Sequence, residues 1–243
     1  TIGWPSDIEH WKLDDLKRFF KTYYAPNNAV LVIAGDVDAA QVFALADKYL
    51  APLQKQPEPT PITTVEPEQL GERRLVVERS DAQSPIVAYA FHSGMGAGDK
   101  RFPTLELLTT ILSQGQSSRL HQRLVEREQA ATQAGAFAEA GFDPGLLWVY
   151  AMLPPGGDMA RVESLLDDEL AKIARDGVSA DELAKARNLK ASSFWRGMAT
   201  INGKARALGT YEVFNGDYRK LFDAPARYEA VTAADVKALA ARI

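Results

Sequence analysis

The sequence predicts an α+β protein that holds the end of one domain and most of a second, homologous one. Three observations lead there. Strand-like and helix-like segments are mixed without the βαβ regularity of a parallel sheet. Residues 52–72 contain Pro52, Pro57, Pro59, Pro61 and Pro67, five of the 13 prolines, and almost no large apolar side chains. Such a stretch is a semi-rigid linker, because a loop that long is uncommon inside one compact domain. Lys12-Leu13-Asp14-Asp15-Leu16-Lys17-Arg18-Phe19 resembles Thr232-Ala233-Ala234-Asp235-Val236-Lys237-Ala238-Leu239, an internal repeat. The expected division is therefore residues 1–51, the end of a first domain; 52–72, the linker; and 73–243, the second domain. In the first copy the repeated helix leads into an apolar strand. In the second the chain stops at Ile243, opposite Tyr23, so the second domain is expected to lack its last strand and the chain to be a piece of something larger.

Each element has a local cause. Thr1 to Trp11 is polar and broken by Pro5, and reads as a loop. Leu13, Leu16, Phe19, Phe20 and Tyr23 form a helical stripe with Asp14 and Asp15 at its favourable N-terminal end, stopped by Pro26. Ala29 to Ala34 is apolar, β-branched at Val30, Val32 and Ile33, and flanked by turn formers, which predicts a buried central strand. Asp38 and Gln41 then predict a capped helix through Val42, Leu45, Ala46 and Tyr49. Beyond the linker, strands are expected at Arg73–Glu78 and Ile86–Phe91, followed by a glycine turn at Gly94, Gly96 and Gly98. Helices are expected through Leu105–Leu112 and from Ser118 to Glu128. Ala134–Ala140 and Leu146–Leu153 read as paired strands around Phe142-Asp143-Pro144-Gly145. Val162, Leu165, Leu166, Leu170 and Ile173 predict an amphipathic helix. Ser179 and Glu182 box the start of another that runs through Trp195 toward Leu208.

Composition narrows the function. With 46% hydrophobic and 25% charged residues the chain is ordinary for a soluble globular protein. A net charge of -4 gives no basic excess for nucleic acid. The absence of cysteine removes disulfides, thiolate metal sites and a cysteine nucleophile. No apolar run approaches the roughly 20 residues of a membrane helix. The first residues lack a signal-peptide pattern and an initiator Met, which again suggests a processed product or a fragment.

No complete catalytic site is visible. Ser6-Asp7-Ile8-Glu9-His10 is an H-x-x-E-H pattern with serine where the first histidine belongs, so it reads as a solvated turn before a helix. His92 precedes Gly94-Met95-Gly96-Ala97-Gly98-Asp99-Lys100. A phosphate loop would need a hydroxyl where Arg101 stands, and a plain strand-to-helix turn fits better. His121 shares a helix with Arg119, Arg123 and Arg127 and reads as a polar-face residue. Gln116-Ser117-Ser118 has no evident His/Asp partners, and Asp14-Asp15 and Asp167-Asp168 read as solvated helix charge.

Two passages go further. IGWPSDIEHWKLDDLKRFFKTYYAPNNAVLVIAGDVD closely resembles the stretch downstream of the zinc site in pitrilysin/insulinase-type zinc metallopeptidases, the inverzincins, which include mitochondrial processing peptidase. ILSQGQSSRLHQRLVERE resembles that family's second-domain motif. The resemblance covers nearly the whole chain. It implies the α+β, mixed α/β sandwich domains of the processing peptidase-like metallohydrolase fold, and zinc in the parent protein with none bound by this chain. In the family, an H-x-x-E-H helix and a later glutamate hold a zinc that activates water for peptide hydrolysis. These positions fall upstream of Thr1, so no catalytic or metal residue is carried over. Family members often have an Arg and a Tyr, seven apart, that contact substrate; here those positions hold Val125 and Thr132, which supply neither a guanidinium nor a phenol. Two-subunit members divide the labour, so the resemblance implies the C-terminal region of a zinc-bearing subunit. It would help form the substrate chamber and a subunit interface. Its implied partners are an upstream zinc-binding domain, a homologous partner subunit (a heterodimer) and a peptide substrate, with no nucleic acid and no membrane span, in the bacterial periplasm or envelope. The alternative is a non-catalytic assembly subunit of the same family.

Overall fold

The computed structural model describes residues 3–65, 67 and 69–243, and the chain divides into two compact units, Thr1–Val76 and Val77–Ile243.

The first unit holds helices α1 (Pro5–Glu9), α2 (Leu13–Tyr23) and α3 (Ala39–Tyr49), with a long connection between α2 and α3 that includes a 3-10 turn at Pro26–Asn28. Pro5 does not enforce a loop. It occupies the first helical turn, where its missing N–H costs nothing. Asp15 accepts from the Lys12 N–H at 3.2 Å, and Asp38 accepts from the Gln41 N–H at 2.8 Å. Asn27 and Gln56 exchange two hydrogen bonds, Asn27 Nδ2 to the Gln56 carbonyl at 3.1 Å and the Gln56 N–H to Asn27 Oδ1 at 3.0 Å. An asparagine side chain thereby imitates a backbone ladder and pins the Pro-rich stretch. The expected buried strand at Ala29–Ala34 is not found. Ala29 is extended (φ -131°, ψ 141°), yet among the described residues the segment joins no strand ladder and Val30, Leu31 and Ile33 are 50–67% exposed. A strand is held by its neighbours' hydrogen bonds and packing, and no described residue of this unit offers a ladder. The same reason applies at Arg73–Glu78, expected as a strand and found exposed and outside any strand.

The second unit is built on a three-stranded antiparallel sheet, β1 (Ile86–His92), β2 (Gln133–Ala138) and β3 (Leu146–Met152), in the order β1-β3-β2. The register runs Ile86↔Met152 through His92↔Leu146 on one side of β3 and Gln133↔Met152 through Ala138↔Leu147 on the other. Since strand side chains alternate, one face presents Val87, Ala134, Ala136, Leu147, Val149 and Ala151, all buried. Helices α4 (Phe102–Ser113) and α5 (Met159–Asp176) cover that face. α4 is apolar almost all round and buried on every side. α5 buries the stripe Val162, Leu165, Leu166 and Ile173, together with Glu169, and leaves most of its other charged side chains in water. Leu170 packs half-buried against this core.

Four helices complete the unit: α6 (Ala180–Gly197), α7 (Ile201–Asn215), α8 (Ala224–Ala230) and α9 (Ala233–Ala240). The long helix expected to reach Leu208 is instead two. Thr200 caps a new start by accepting from the Gly203 N–H at 3.0 Å, and the two helices meet so closely that a Cβ on Gly203 would lie 1.8 Å from the Gly197 carbonyl oxygen. Only glycine fits that elbow. The repeat noted in the sequence reappears as geometry: Asp235 accepts from the Thr232 N–H at 2.8 Å, as Asp15 does from Lys12. The helix expected from Ser118 to Glu128 is wound as a π-helix over His121–Arg127. It ends at Gln129, whose φ of 49° is left-handed. Glycine bears that conformation without a Cβ clash. Gln129→Gly is therefore expected to stabilise the second unit by about 0.5 kcal/mol, net of the added freedom of the unfolded chain, measurable as an upward shift in the urea midpoint. An unchanged or lowered midpoint would show that the Gln129 side chain more than offsets its backbone strain.

Candidate functional site: the open face of the sheet

The face of the sheet turned away from α4 and α5 carries Ile86 and His92 from β1, Phe137 and Gln133 from β2, and Trp148, Tyr150 and Met152 from β3. Trp148 and Phe137 are register partners and stack with ring centroids 6.3 Å apart and planes 17° apart. Tyr150 meets Phe137 edge-on at 6.4 Å. Tyr150 also lies over its own partner, Gly135, where an added Cβ would come within 2.9 Å of the ring. This glycine is what lets the ring lie flat on the sheet. Polar groups fix the platform's rim: Gln133 Nε2 donates to the Tyr150 hydroxyl at 3.0 Å, and Trp148 Nε1 donates to Glu139 Oε1 at 3.0 Å. Ile86 and Phe137 remain 56% and 49% exposed. A contiguous apolar and aromatic surface of this kind, with satisfied polar edges, suits side chains of an extended polypeptide. Sequence reasoning passed over this face. The signal was present in Leu146–Met152, where aliphatic residues (Leu147, Val149, Ala151) alternate with large ones (Trp148, Tyr150, Met152): one set fills a core, the other has no stated use.

Sequence-derived candidates lie apart from one another. His10 closes α1, with its Nδ1 2.6 Å from the Ser6 carbonyl, exposed. His92 ends β1 and is exposed. His121 meets Glu126 at 3.0 Å. Among the described residues no group of three or more His, Asp or Glu side chains is gathered as a metal would require. Val125 sits half-buried in the π-helix. Thr132 donates its hydroxyl to the Met152 carbonyl at 3.1 Å at the entry to β2. Asp167 is not merely solvated charge, because it accepts from the Tyr89 hydroxyl at 2.9 Å.

The Ser117-Ser118-Arg119-Leu120 motif turns out to be a clamp. Arg119 Nε and Nη2 donate to the two carboxylate oxygens of Glu182 at 2.6 and 2.9 Å, and Nη2 also reaches the Gly177 carbonyl at 3.0 Å. Glu182 in turn accepts from the Ser179 N–H at 2.8 Å, so one carboxylate serves both the cap of α6 and the arginine. The Arg119 fork holds the Glu182 carboxyl down at about 2, against its burial, with the Ser179 N–H helping. Leu120 is fully buried, and Ser118 is nearly so.

Residues 10–190 match the peptidase M16 inactive domain. The chain belongs to that family. The M16 chain is 28% identical over 232 residues to the zinc protease PqqE of Helicobacter pylori, covering 91% of this chain and 51% of that protein. It superposes on the crystal structure of a protease from Helicobacter pylori with a TM-score of 0.90 at 26% identity, over 99% of this chain and 58% of that one. The peptidase M16 inactive domain from Pseudomonas fluorescens shares the fold, with a TM-score of 0.81 at 21% identity over 98% and 56% of the two chains. The M16 chain spans about half the length of the curated relatives it matches. The α+β class and the peptidase-like fold expected from sequence therefore hold. No described helix is long and apolar enough to cross a membrane.

Proposed function

We propose that this M16 chain is the catalytically inactive, substrate-contacting region of a zinc metalloendopeptidase, working beside a zinc-binding domain that supplies the chemistry. The observation that carries this reading is the open sheet face of Trp148, Tyr150, Phe137 and Met152 in a domain matched as an inactive peptidase domain. Relatives named zinc proteases support zinc in the parent protein. The residues of this chain contribute binding and shape: an aromatic wall for peptide side chains and a helical backing. On this reading the domain limits are 1–51, 52–72 and 73–243. Val125 and Thr132 leave a guanidinium and a phenol to be supplied by a homologous partner subunit, and an envelope location suits a bacterial member.

The test has two arms. The purified chain is expected to hold far less than one equivalent of zinc and to leave a mixed peptide library uncut with or without added zinc. In the full-length protein, Trp148→Ser together with Phe137→Ser is expected to raise KM for apolar peptides about 10-fold with kcat nearly unchanged, because uniform binding is lost. Stoichiometric zinc with chelator-sensitive cleavage by the chain alone, or wild-type KM in the double variant, would overturn the reading.

A further inference from the structure

A second concavity, beside the first turns of α4, has a different chemistry. It is a cleft of about 260 Å³ between the start of α4, the end of α7, and α8, walled by Phe102, Pro103, Phe214, Tyr211, Tyr228 and Arg227. The glycine turn after β1 closes one end. Ala97 lines the cleft, and Gly98 lies so near α7 that an added Cβ would come 3.1 Å from the Phe214 carbonyl oxygen.

The charges in the cleft are not balanced. Glu106 accepts from Lys190 Nζ at 2.8 Å and from the Tyr228 hydroxyl at 2.5 Å, so its carboxylate is already neutralised. Arg227 Nη2 donates to the Asp99 backbone carbonyl at 3.2 Å. The Asp99 carboxylate is taken by Arg101, whose Nη2 lies 2.7 Å from it. Among the described residues the Arg227 guanidinium has no carboxylate partner. Tyr211 lies beside it on the same wall, half-buried, with no hydrogen bond to its hydroxyl among the described residues; burial pushes its phenol up, so it stays protonated and able to donate. The rest of the lining mixes the rings of Phe102, Phe214 and Tyr228 with the polar side chains of Thr210 and Asn215 and the Lys190-paired Glu106. One arginine fork without a carboxylate partner and one unbonded phenol beside those rings make an anion site with room for an organic body.

We infer that the Arg227–Tyr211 cleft binds an organic monocarboxylate with a compact apolar body, the chemistry carried by a free C-terminal residue of a peptide or by a small aromatic acid. The guanidinium donates two-pronged to the carboxylate, as a planar fork does and an ammonium does not. Tyr211 donates to the same group, and Phe102 and Phe214 hold the body. The volume lies just under the roughly 300 Å³ at which drug-sized sites begin, which fits one amino-acid-sized ligand rather than a long peptide. The inference does not depend on the peptidase reading, since it concerns a different face of the unit.

The experiment is a binding series on the 243-residue chain by ligand-observed NMR with N-acetyl-phenylalanine, N-acetyl-phenylalanine amide and phenylacetate. Both acids are expected to bind at least 10-fold more tightly than the amide. Tighter binding of N-acetyl-phenylalanine than of phenylacetate would name peptide C-termini as the source, and the reverse order would name small acids. Arg227→Gln is expected to remove acid binding, Arg227→Lys to weaken it about 5-fold, and Tyr211→Phe about 3-fold, each with an unchanged thermal midpoint. Equal binding of acid and amide by the wild-type chain, no binding of either acid, or acid binding retained by a folded Arg227→Gln variant would overturn the assignment.

Discussion

Arg119→Ala is expected to destabilise the second unit by about 2–3 kcal/mol, a shift of roughly 1 M in the urea midpoint. The side chain is largely buried, at 16% exposure, and its fork makes two charge-assisted bonds to Glu182 and one to the Gly177 carbonyl. Removing it strands the Glu182 carboxylate, itself 31% exposed, at the start of α6 with only the Ser179 cap to satisfy it. Partial exposure keeps the loss below that of a fully buried pair. The pH dependence has a definite sign. The Glu182 carboxyl titrates at about 2 in the folded chain, against an ordinary 4.5. A depressed pKa means the clamp's contribution is complete above about 4.5 and disappears as pH falls toward 2. Wild type should therefore lose about 1–2 kcal/mol across that interval from this pair, after allowance for solvent screening, and Arg119→Ala should show a flatter profile. A variant with the wild-type midpoint and the same acid slope would show that the clamp is ornamental.

Leu166→Ala is expected to cost about 3–4 kcal/mol, the second large effect. Leu166 is fully buried on the apolar stripe of α5, within the cluster that includes Leu112, Leu147 and Val149. The site cannot collapse easily. α5 is locked at its start by Asp158, which accepts from the Arg161 N–H at 3.1 Å, and tied further along by Asp167 to Tyr89 of β1. Truncation should leave a void as well as losing transfer energy. The check is chemical denaturation followed by tryptophan fluorescence; a loss under 1 kcal/mol would mean α5 slides inward to fill the space.

The second unit's elements were legible where a signal was local and strong. The apolar spacing of α5, the Ser179/Glu182 box of α6, and the turn between β2 and β3 each determine their structure with their own residues. Failures fall where the deciding interaction is nonlocal. Ala29–Ala34 and Arg73–Glu78 have the composition of strands, but a strand exists only when something pairs with it. The Gly203 elbow was invisible because its cause is the approach of a carbonyl six residues back, not a propensity of Gly203 itself. Of the sites, the absence of a complete catalytic motif was readable residue by residue. The aromatic wall was not, because Trp148 and Tyr150 in an alternating strand look like ordinary packing until one face is seen to be left uncovered. The Arg227 cleft was equally hidden: Glu106, Tyr211 and Arg227 are far apart in sequence and are joined only by the packing of three helices.

The extended segment at Ala29–Ala34 has consequences for the protein's life in a crowded solution. From Tyr24 through Gly35 it carries no charged side chain, and Val30, Leu31 and Ile33 face water. Such a ribbon is adhesive, since any second ribbon can zip onto it. The comparable stretch around Leu75 and Val76 is guarded by Arg73, Arg74, Glu78 and Arg79, charges that resist stacking of like copies. The two segments thus differ in tackiness, and Ala29–Ala34 is the uncharged one of the pair.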